Sequence, residues 1–264
     1  MTEGHPLYAW REWLIASGKP RTTVKLCVYQ LRRWEEHHPR LLSTTTGDLV
    51  SWLASHAWKP DTVKSFRAAL VSFYGWAHLA GRMDHNPALT LPSVRCLPHP
   101  PRPAPESAVA TALLAADPRV TLMLILAARH GMRRGEIARG HSDDLMPHLV
   151  GWSLRVHGKG AKDRVIPLGE GATQRLQALP EGWAFPSPYG GHLSEQHVGK
   201  LIARALPEGW TAHTLRHRFA TVAYAGTRDL LAVQELLGHS RPETTRGYIL
   251  MPQDALRSAV LAAA

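Results

Sequence analysis

The sequence is poor in cysteine, and its two cysteines, Cys27 and Cys96, lie in quite different contexts. Two such residues cannot supply the framework of several disulfides on which small secreted domains depend. They also cannot form a zinc site built from paired cysteines. This composition is typical of a protein that works in a reducing cytoplasm.

Long hydrophobic segments are also lacking. The longest apolar run, residues 120–128, is flanked by Arg119 and Arg129 and is far shorter than the roughly 20 residues that cross a bilayer. The N-terminal residues show no basic segment followed by an apolar one, so no secretory signal is apparent. We therefore expect residues 120–128 to form a buried helix and the protein to be cytoplasmic, with no membrane partner.

Basic residues exceed acidic ones along the whole chain. Lys and Arg number 31 against 21 acidic residues, which gives a net charge of +10. Residues 1–95 carry 12 basic and 7 acidic residues and residues 96–264 carry 19 and 14, so each part has a net charge of +5. This distribution favours a two-part grip on a polyanion, although charge alone leaves open a basic protein that binds no nucleic acid.

Residues 1–95 read as helices without a convincing strand. Apolar residues at helical spacing predict helices over 7–16, 24–36 and 49–56, with Thr46 or Asp48 as the cap of the third, and a fourth that starts at Lys59. Taken singly, the basic residues here are more typical of solvated surface charges. As a set they predict a DNA-facing surface, whose members are Lys19, Arg21, Lys25, Lys59, Lys64 and Arg67.

Residues 96–105 contain five prolines in ten positions and cannot continue a helix. We interpret them as an interdomain linker. Beyond them, helices are predicted over 107–116, 119–130, 135–139, 171–178, 194–205, 211–225, 229–237 and 241–248. Residues 153–157 and 165–168 predict a β-hairpin in which Gly158 and Gly160 adopt positive φ and Lys159 lies near the tip.

The helix predicted over 211–225 separates two kinds of side chain. His213, Arg216 and His217 fall within one arc, while Leu215, Phe219 and Val222 lie on the opposite face. The apolar face is expected in the core, and the other face is expected to present an imidazole and a guanidinium outward. Arginine suits a phosphodiester because its planar fork donates two parallel hydrogen bonds.

Four stretches of the C-terminal region together resemble the motifs of tyrosine recombinases, the phage integrase and Xer group. They are GMRRGEIA (131–138), GKGAKDRVIPL (158–168), HTLRHRFAT (213–221) and LLGHSRPETTRGY (236–248). They occur in the family's order and at similar spacings. The resemblance is strong over residues 106–248 and weak over the N-terminal helices. A GKG or HxxR alone would carry little weight, whereas the four motifs together are specific.

The resemblance implies the residues that handle the phosphate. Arg133 and Arg216 would grip the scissile phosphate, and Lys159 would protonate the leaving 5′ oxygen. Glu136 matches the acidic position that supports the first arginine. These cations would stabilise a pentavalent phosphorane without a metal, so no metal or other cofactor is expected.

The resemblance also assigns the nucleophile and the histidines. Tyr248 would attack the phosphate, His213 would act as acid or base, His239 would bond the phosphate, and His217 would be a structural histidine beside the pocket. Free tyrosine has a pKa of about 10, so it needs cations and a base nearby to attack at neutral pH. A covalent phosphotyrosine link conserves bond energy, so strands could be rejoined without ATP.

The fold that the resemblance implies is mainly α. It has a helical core-binding (SAM-like) DNA-binding domain at 1–95, the linker at 96–105, and a mostly helical catalytic domain with a small antiparallel β-sheet at 106–264. The chain enters the core-binding-like helices almost at once. We therefore expect a short form without an N-terminal arm-binding domain, which acts on simple core-type attachment sites.

The implied partners are double-stranded DNA, three further copies of the chain in a homotetramer on synapsed DNA, and a directionality factor as an optional addition. The expected location is the bacterial cytoplasm, in association with the nucleoid. Integration of a phage or mobile-element genome is the first interpretation. An Xer-type resolvase is the alternative, and sequence alone separates the two poorly.

Three other functions compete with recombination. A zinc enzyme could use His213 and His217, but Thr214 stands where such enzymes place a glutamate and Arg216 would repel the metal. A non-catalytic DNA-binding protein of the same fold would be expected to have lost at least one member of the site. A topoisomerase would use the same chemistry, but the small size of the protein and the integrase-like sequences of its motifs favour a recombinase.

Overall fold

A computed structural model of the protein describes residues 4–97, 99–158, 163–238 and 248–249. The chain divides into two compact units, Met1–Leu97 and Pro98–Ala264. The division falls within the proline-rich stretch. The end of that stretch belongs to the second unit, because Ala104 is buried there and its N–H donates to the Thr214 carbonyl at 3.1 Å. Arg102 also lies over the Trp210 ring, 4.7 Å from its centroid.

The first unit is helical, as predicted, and residues 4–97 contain no strand. Its helices are α1 (Pro6–Ala16), α2 (Arg21–His37), α3 (Thr46–Ala54) and α4 (Pro60–Leu79). The predicted cap of α3 was wrong by one residue. Thr45 caps the helix, since its hydroxyl accepts the Asp48 N–H while Asp48 accepts the Thr45 N–H, a reciprocal capping box.

Aromatic side chains fill the core of this unit. Trp10, Trp34, Phe73 and Tyr74 are fully buried, and Trp10 meets Phe73 edge to face with ring centroids 5.4 Å apart. Three of these rings also carry polar groups, and two of those groups are hydrogen-bonded to each other. The indole N–H of Trp34 donates to the Tyr74 hydroxyl at 2.7 Å, and that hydroxyl donates to Thr44 at 2.8 Å. The buried donors of Trp34 and Tyr74 are therefore satisfied, whereas the indole N–H of Trp10 has no hydrogen-bond partner among the described residues.

The second unit combines helices with a small sheet, and its described residues also include a 3-10 turn at Ser142–Asp144. Strands β1 (Leu145–Pro147), β2 (Trp152–His157) and β3 (Asp163–Leu168) form an antiparallel sheet in the order β1-β2-β3. The helices are α5 (Glu106–Ala115), α6 (Pro118–His130), α7 (Arg134–Ala138), α8 (Glu170–Gln177), α9 (Glu195–Ala205), α10 (Ala212–Thr227) and α11 (Leu230–Leu237).

Helix α6 forms the centre of this unit. Residues 120–128 are buried, as their composition predicts, and α10 packs against α6. Gly131 ends α6 in the left-handed region at φ 64°, where a β-carbon would also collide with the ring of Phe219. Among the described residues, no helix is both long and apolar enough to cross a membrane.

The sequence-based description of this unit needs three corrections. Strand β1 was not predicted, because three residues are too few to show a period of two. Val222 was placed on the core face of α10 but is 52% exposed, since the described part of the chain leaves this position open. Gly158 does not adopt positive φ. The helix predicted over 241–248 lies, except for Tyr248, outside the described residues.

Candidate active site

Arg133 and Glu136 lie at the start of α7, just after Gly131 has ended α6. The Glu136 carboxylate accepts the Arg133 backbone N–H at 2.7 Å through Oε2 and Arg133 Nη1 at 2.8 Å through Oε1. Glu136 is buried, whereas the side chain of Arg133 remains 40% exposed. Arg133 is therefore fixed at one end and accessible at the other, which a phosphate-binding arginine requires.

Arg164 completes the group formed with Arg133 and Glu136. The sequence analysis did not include it among the site residues. It lies on β3, and its Nη1 and Nη2 donate to Oε1 and Oε2 of Glu136 at 3.0 and 2.9 Å. Its Nε donates to the Leu236 carbonyl at 2.7 Å. The residue stood in the GKGAKDRVIPL motif, but no spacing rule indicates that a strand arginine turns toward a glutamate 28 positions earlier in the chain.

The charges around Glu136 decide its protonation state. Burial by itself would raise the pKa of this carboxyl group, but hydrogen bonds and charge from Arg164, and then from Arg133, lower the pKa to about 2. Glu136 is therefore ionised at neutral pH, and four donated hydrogen bonds from two arginines satisfy its carboxylate.

Helix α10 contributes Arg216. Its position on the helix predicted an outward side chain, but the side chain is buried. Its Nη1 donates to the Gly131 carbonyl and its Nη2 to the Leu237 carbonyl. Burial and then the charge of Arg133 lower the pKa of Arg216 to about 9, while the charge of Glu136 opposes the shift. The guanidinium is still protonated at neutral pH.

The ring of Tyr248 lies against the polar residues of α10. It stacks on His217 with centroids 4.4 Å apart and an interplanar angle of 10°, and it meets His213 edge to face at 5.3 Å. The Arg216 guanidinium carbon lies 5.8 Å from the centre of the same ring. Tyr248 and Ile249 pack against the cluster that contains Val233 of α11.

Both histidines are held in the neutral form. Burial lowers the pKa of His217 to about 4, with His213 as the next contribution. Burial also lowers the pKa of His213, and the charges of Arg216 and Arg133 act in the same direction. A neutral imidazole has a ring nitrogen that can accept a proton.

The C-terminal end of α11 joins these groups. Arg133 Nη1 donates to the Leu237 carbonyl at 3.2 Å, the same carbonyl that Arg216 contacts. Arg164 binds the carbonyl of the preceding residue, Leu236. The last carbonyls of a helix lack intrahelical partners and carry the negative end of the helix dipole, so arginines suit this position.

Two of the predicted catalytic residues, Lys159 and His239, lie outside the described residues, so their predicted roles stay predictions. The strands on either side of Lys159 are tied together by His157, the last residue of β2. Its Nδ1 lies 3.0 Å from Asp163 and its Nε2 lies 2.8 Å from Asp144. The hydrogen bond to Asp144 raises the pKa of His157, which favours an imidazolium between two carboxylates.

The predicted DNA-facing residues of the first unit lie at or near the starts of α2 and α4, except Arg67, which lies two turns into α4. Arg67 differs from the others because it is partly buried and its Nη2 donates to the Leu91 carbonyl at 2.9 Å. The remaining members of the set are exposed, and they are Lys19, Arg21, Lys25, Lys59 and Lys64.

The group around Glu136 predicts a stability effect. Glu136→Gln should lower the free energy of unfolding at pH 7 by about 3 kcal/mol, because two buried arginine contacts lose their charged partner. Since the folded pKa is depressed from 4.5 to about 2, this contribution is present above pH 4.5 and is lost as the pH falls toward 2.

Urea denaturation measures this change. Glu235→Gln is the matched control, because Glu235 is exposed on α11. The control should change stability by no more than about 0.5 kcal/mol. Equal effects of the two substitutions would contradict the account of Glu136.

Comparisons with known proteins point to the same family as the four sequence motifs. Residues 107–252 match the model of the phage integrase family. The tyrosine recombinase XerD of Listeria innocua is 30% identical over 229 residues, which cover 76% of each chain. A lambda integrase(75-356) dimer bound to a COC′ core site matches with a TM-score of 0.76 at 19% identity, covering 94% of this chain and 95% of that one.

A lambda integrase tetramer bound to a Holliday junction matches with a TM-score of 0.73 at 18% identity, covering 90% of this chain and 77% of that one. At these identities the two solved structures show a shared fold. The family model covers more than half of the chain, and the XerD relative covers three quarters of it. The chain therefore belongs to the phage integrase family and is a tyrosine recombinase, an enzyme that cuts and rejoins DNA at specific sites.

Proposed function

We propose that the cluster of Arg133, His213, Arg216 and Tyr248 cleaves DNA through a 3′-phosphotyrosine intermediate, with Tyr248 as the nucleophile. The observation that carries the proposal is the position of the Tyr248 ring, which lies against two neutral histidines and near the Arg216 guanidinium. Tyr248 also packs against the apolar cluster that contains Val233, so the polar and cationic groups beside its ring are what set it apart. A tyrosine in polar and cationic surroundings fits a nucleophile that needs activation.

The reaction is a transesterification. The Tyr248 oxygen attacks the phosphorus, a bond from phosphorus to tyrosine forms, and the bond from phosphorus to the 5′ oxygen breaks. The phenolic proton passes to a base, for which His213 is the candidate, and the departing 5′ oxygen takes a proton from Lys159. Attack by a 5′ hydroxyl then reverses these steps and rejoins the strand.

The arginines supply the electrostatic stabilisation that the phosphorane needs. Arg133 is exposed enough to contact a phosphate directly, with its position fixed by Glu136. Arg216 contributes a buried positive charge beside Tyr248. His239 follows Gly238 at the end of α11, and we assign it the second histidine's contact with the phosphate.

We further propose that both units contact a duplex core-type site and that four protomers bring two sites together. The exposed basic residues of the first unit support contact with the DNA backbone. The lambda integrase tetramer on a Holliday junction is a protein of the same fold that assembles in this way. A directionality factor remains an optional partner in this scheme.

Covalent capture tests the nucleophile. The protein is incubated with a nicked duplex from beside its own gene, with EDTA present, and SDS-resistant adducts are counted. Wild type should form an adduct and Tyr248→Phe should form none, because phenylalanine has no oxygen to attack. Tyr224→Phe is the matched control, since Tyr224 packs against the same cluster as Tyr248.

The outcomes of this assay are distinct. An adduct that persists in Tyr248→Phe would show that another residue is the nucleophile. Sequence-specific binding of the duplex by wild type without any adduct would support the non-catalytic alternative. Loss of the adduct in Tyr224→Phe as well would point to a general disturbance of the cluster and not to the chemistry of Tyr248.

The biological reaction has two candidates. Integration of a phage or mobile element follows from the resemblance to integrases, and an Xer-type resolution reaction is favoured by the relative named XerD. Sequencing the DNA held in covalent complexes formed in cells separates them. Integration predicts DNA adjacent to the protein's own gene, whereas resolution predicts one chromosomal site that is unrelated to the gene's position.

A further inference from the structure

Arg164 connects three segments of the second unit without belonging to the predicted catalytic set. It arises from β3, forms a two-pronged contact with Glu136 of α7, and binds the Leu236 carbonyl at the end of α11. Its side chain is 9% exposed. This accessibility is too low for a surface charge that merely attracts DNA, so its effect must act through the groups it contacts.

The contact between Arg164 and Glu136 affects how strongly the Glu136 carboxylate attracts the guanidinium of Arg133. Both oxygens of Glu136 accept from Arg164 and both accept from Arg133. If Arg164 were absent, Arg133 at 2.8 Å would be the nearest remaining cation of the buried carboxylate, with Arg216 Nη1 farther away, 3.9 Å from Oε2. The guanidinium of Arg133 would then be drawn toward Glu136 and away from a phosphate.

The contact with α11 acts on a second part of the site. Gly238, which ends α11 in the left-handed region, lies so close to Arg164 that a β-carbon there would come within 3.0 Å of Cδ and Nη1. The adjoining Leu237 carbonyl receives Arg133 and Arg216. Arg164 therefore fixes the end of the helix from which the chain continues to His239 and Tyr248.

We propose that Arg164 is a positioning residue for DNA cleavage, which balances Glu136 so that Arg133 can hold the scissile phosphate. The inference rests on the proposed role of Arg133 in that reaction. Arg164 touches neither the DNA nor Tyr248 in this scheme. It acts through the carboxylate of Glu136 and the carbonyl of Leu236.

The test measures the first-order rate of adduct formation on the nicked duplex, at saturating protein and well below the melting temperature of every variant. Arg164→Met removes the charge but keeps the length of the side chain, and it should slow cleavage about tenfold or more. Arg164→Lys restores a charge without the planar fork and should lie between Arg164→Met and wild type. Arg175→Met, an exposed arginine on α8, is the control and should match wild type.

A double variant separates charge balance from simple loss of structure. Adding Glu136→Gln to Arg164→Met removes the unbalanced carboxylate, so cleavage should be faster than in Arg164→Met alone. If Arg164 only supported the fold, losing a second member of the network would slow cleavage further. Melting temperature and DNA affinity are measured for each variant. They show that each cleavage rate refers to protein that is folded and bound to DNA.

The result that overturns the inference is Arg164→Met cleaving at the rate of Arg175→Met, or the double variant cleaving no faster than Arg164→Met. Where Arg164→Met does not fold, Arg164→Gln, which is also uncharged, takes its place, and cleavage by Arg164→Gln at the rate of Arg175→Met overturns it equally. A wild type that binds the duplex sequence-specifically and forms no adduct would overturn the proposed function and this inference together. An adduct in wild type with undisturbed Arg164 variants would overturn the inference alone.

Discussion

The burial of one carboxylate determines much of the geometry of this site. Glu136 lies in the interior, where an unpaired negative charge would be strongly unfavourable, so the fold must bring cations to it. Arg133 comes from the start of its own helix and Arg164 from a strand. The pairing fixes α7 against β3, and it leaves the outer part of Arg133 accessible for a phosphate.

The end of α11 is a second place where the side chains of the site meet. Arginines from three different segments donate to its last carbonyls, so a single helix terminus orients Arg133, Arg164 and Arg216 together. The same terminus precedes the stretch of chain that carries Tyr248. In a recombinase, cleavage and rejoining need the nucleophile and the phosphate-binding cations to keep one geometry. A rigid anchor common to both serves that need.

Most helix positions could be predicted from sequence, because apolar periodicity and caps are local signals, as the buried run 120–128 and the Gly131 terminus illustrate. The fold class followed from the resemblance of the four motifs to tyrosine recombinases. The four motifs also indicated residues that the structure places together, among them Arg133, His213, Arg216 and Tyr248. Tertiary contacts were not predictable. Neither the burial of Arg216 nor the turn of Arg164 toward Glu136 follows from spacing, since each depends on how distant segments pack. Strand β1 was not predicted because it is too short to show a period of two.

The most direct test of the central claim is the identity of the residue that becomes bonded to DNA. The covalent complex is digested with nuclease and trypsin, and the peptide that retains a nucleotide is sequenced by mass spectrometry. The account predicts the peptide of residues 247–257, with the phosphate on Tyr248. A nucleotide on a peptide from any other part of the chain would contradict the assignment of Tyr248 and the reaction built around it.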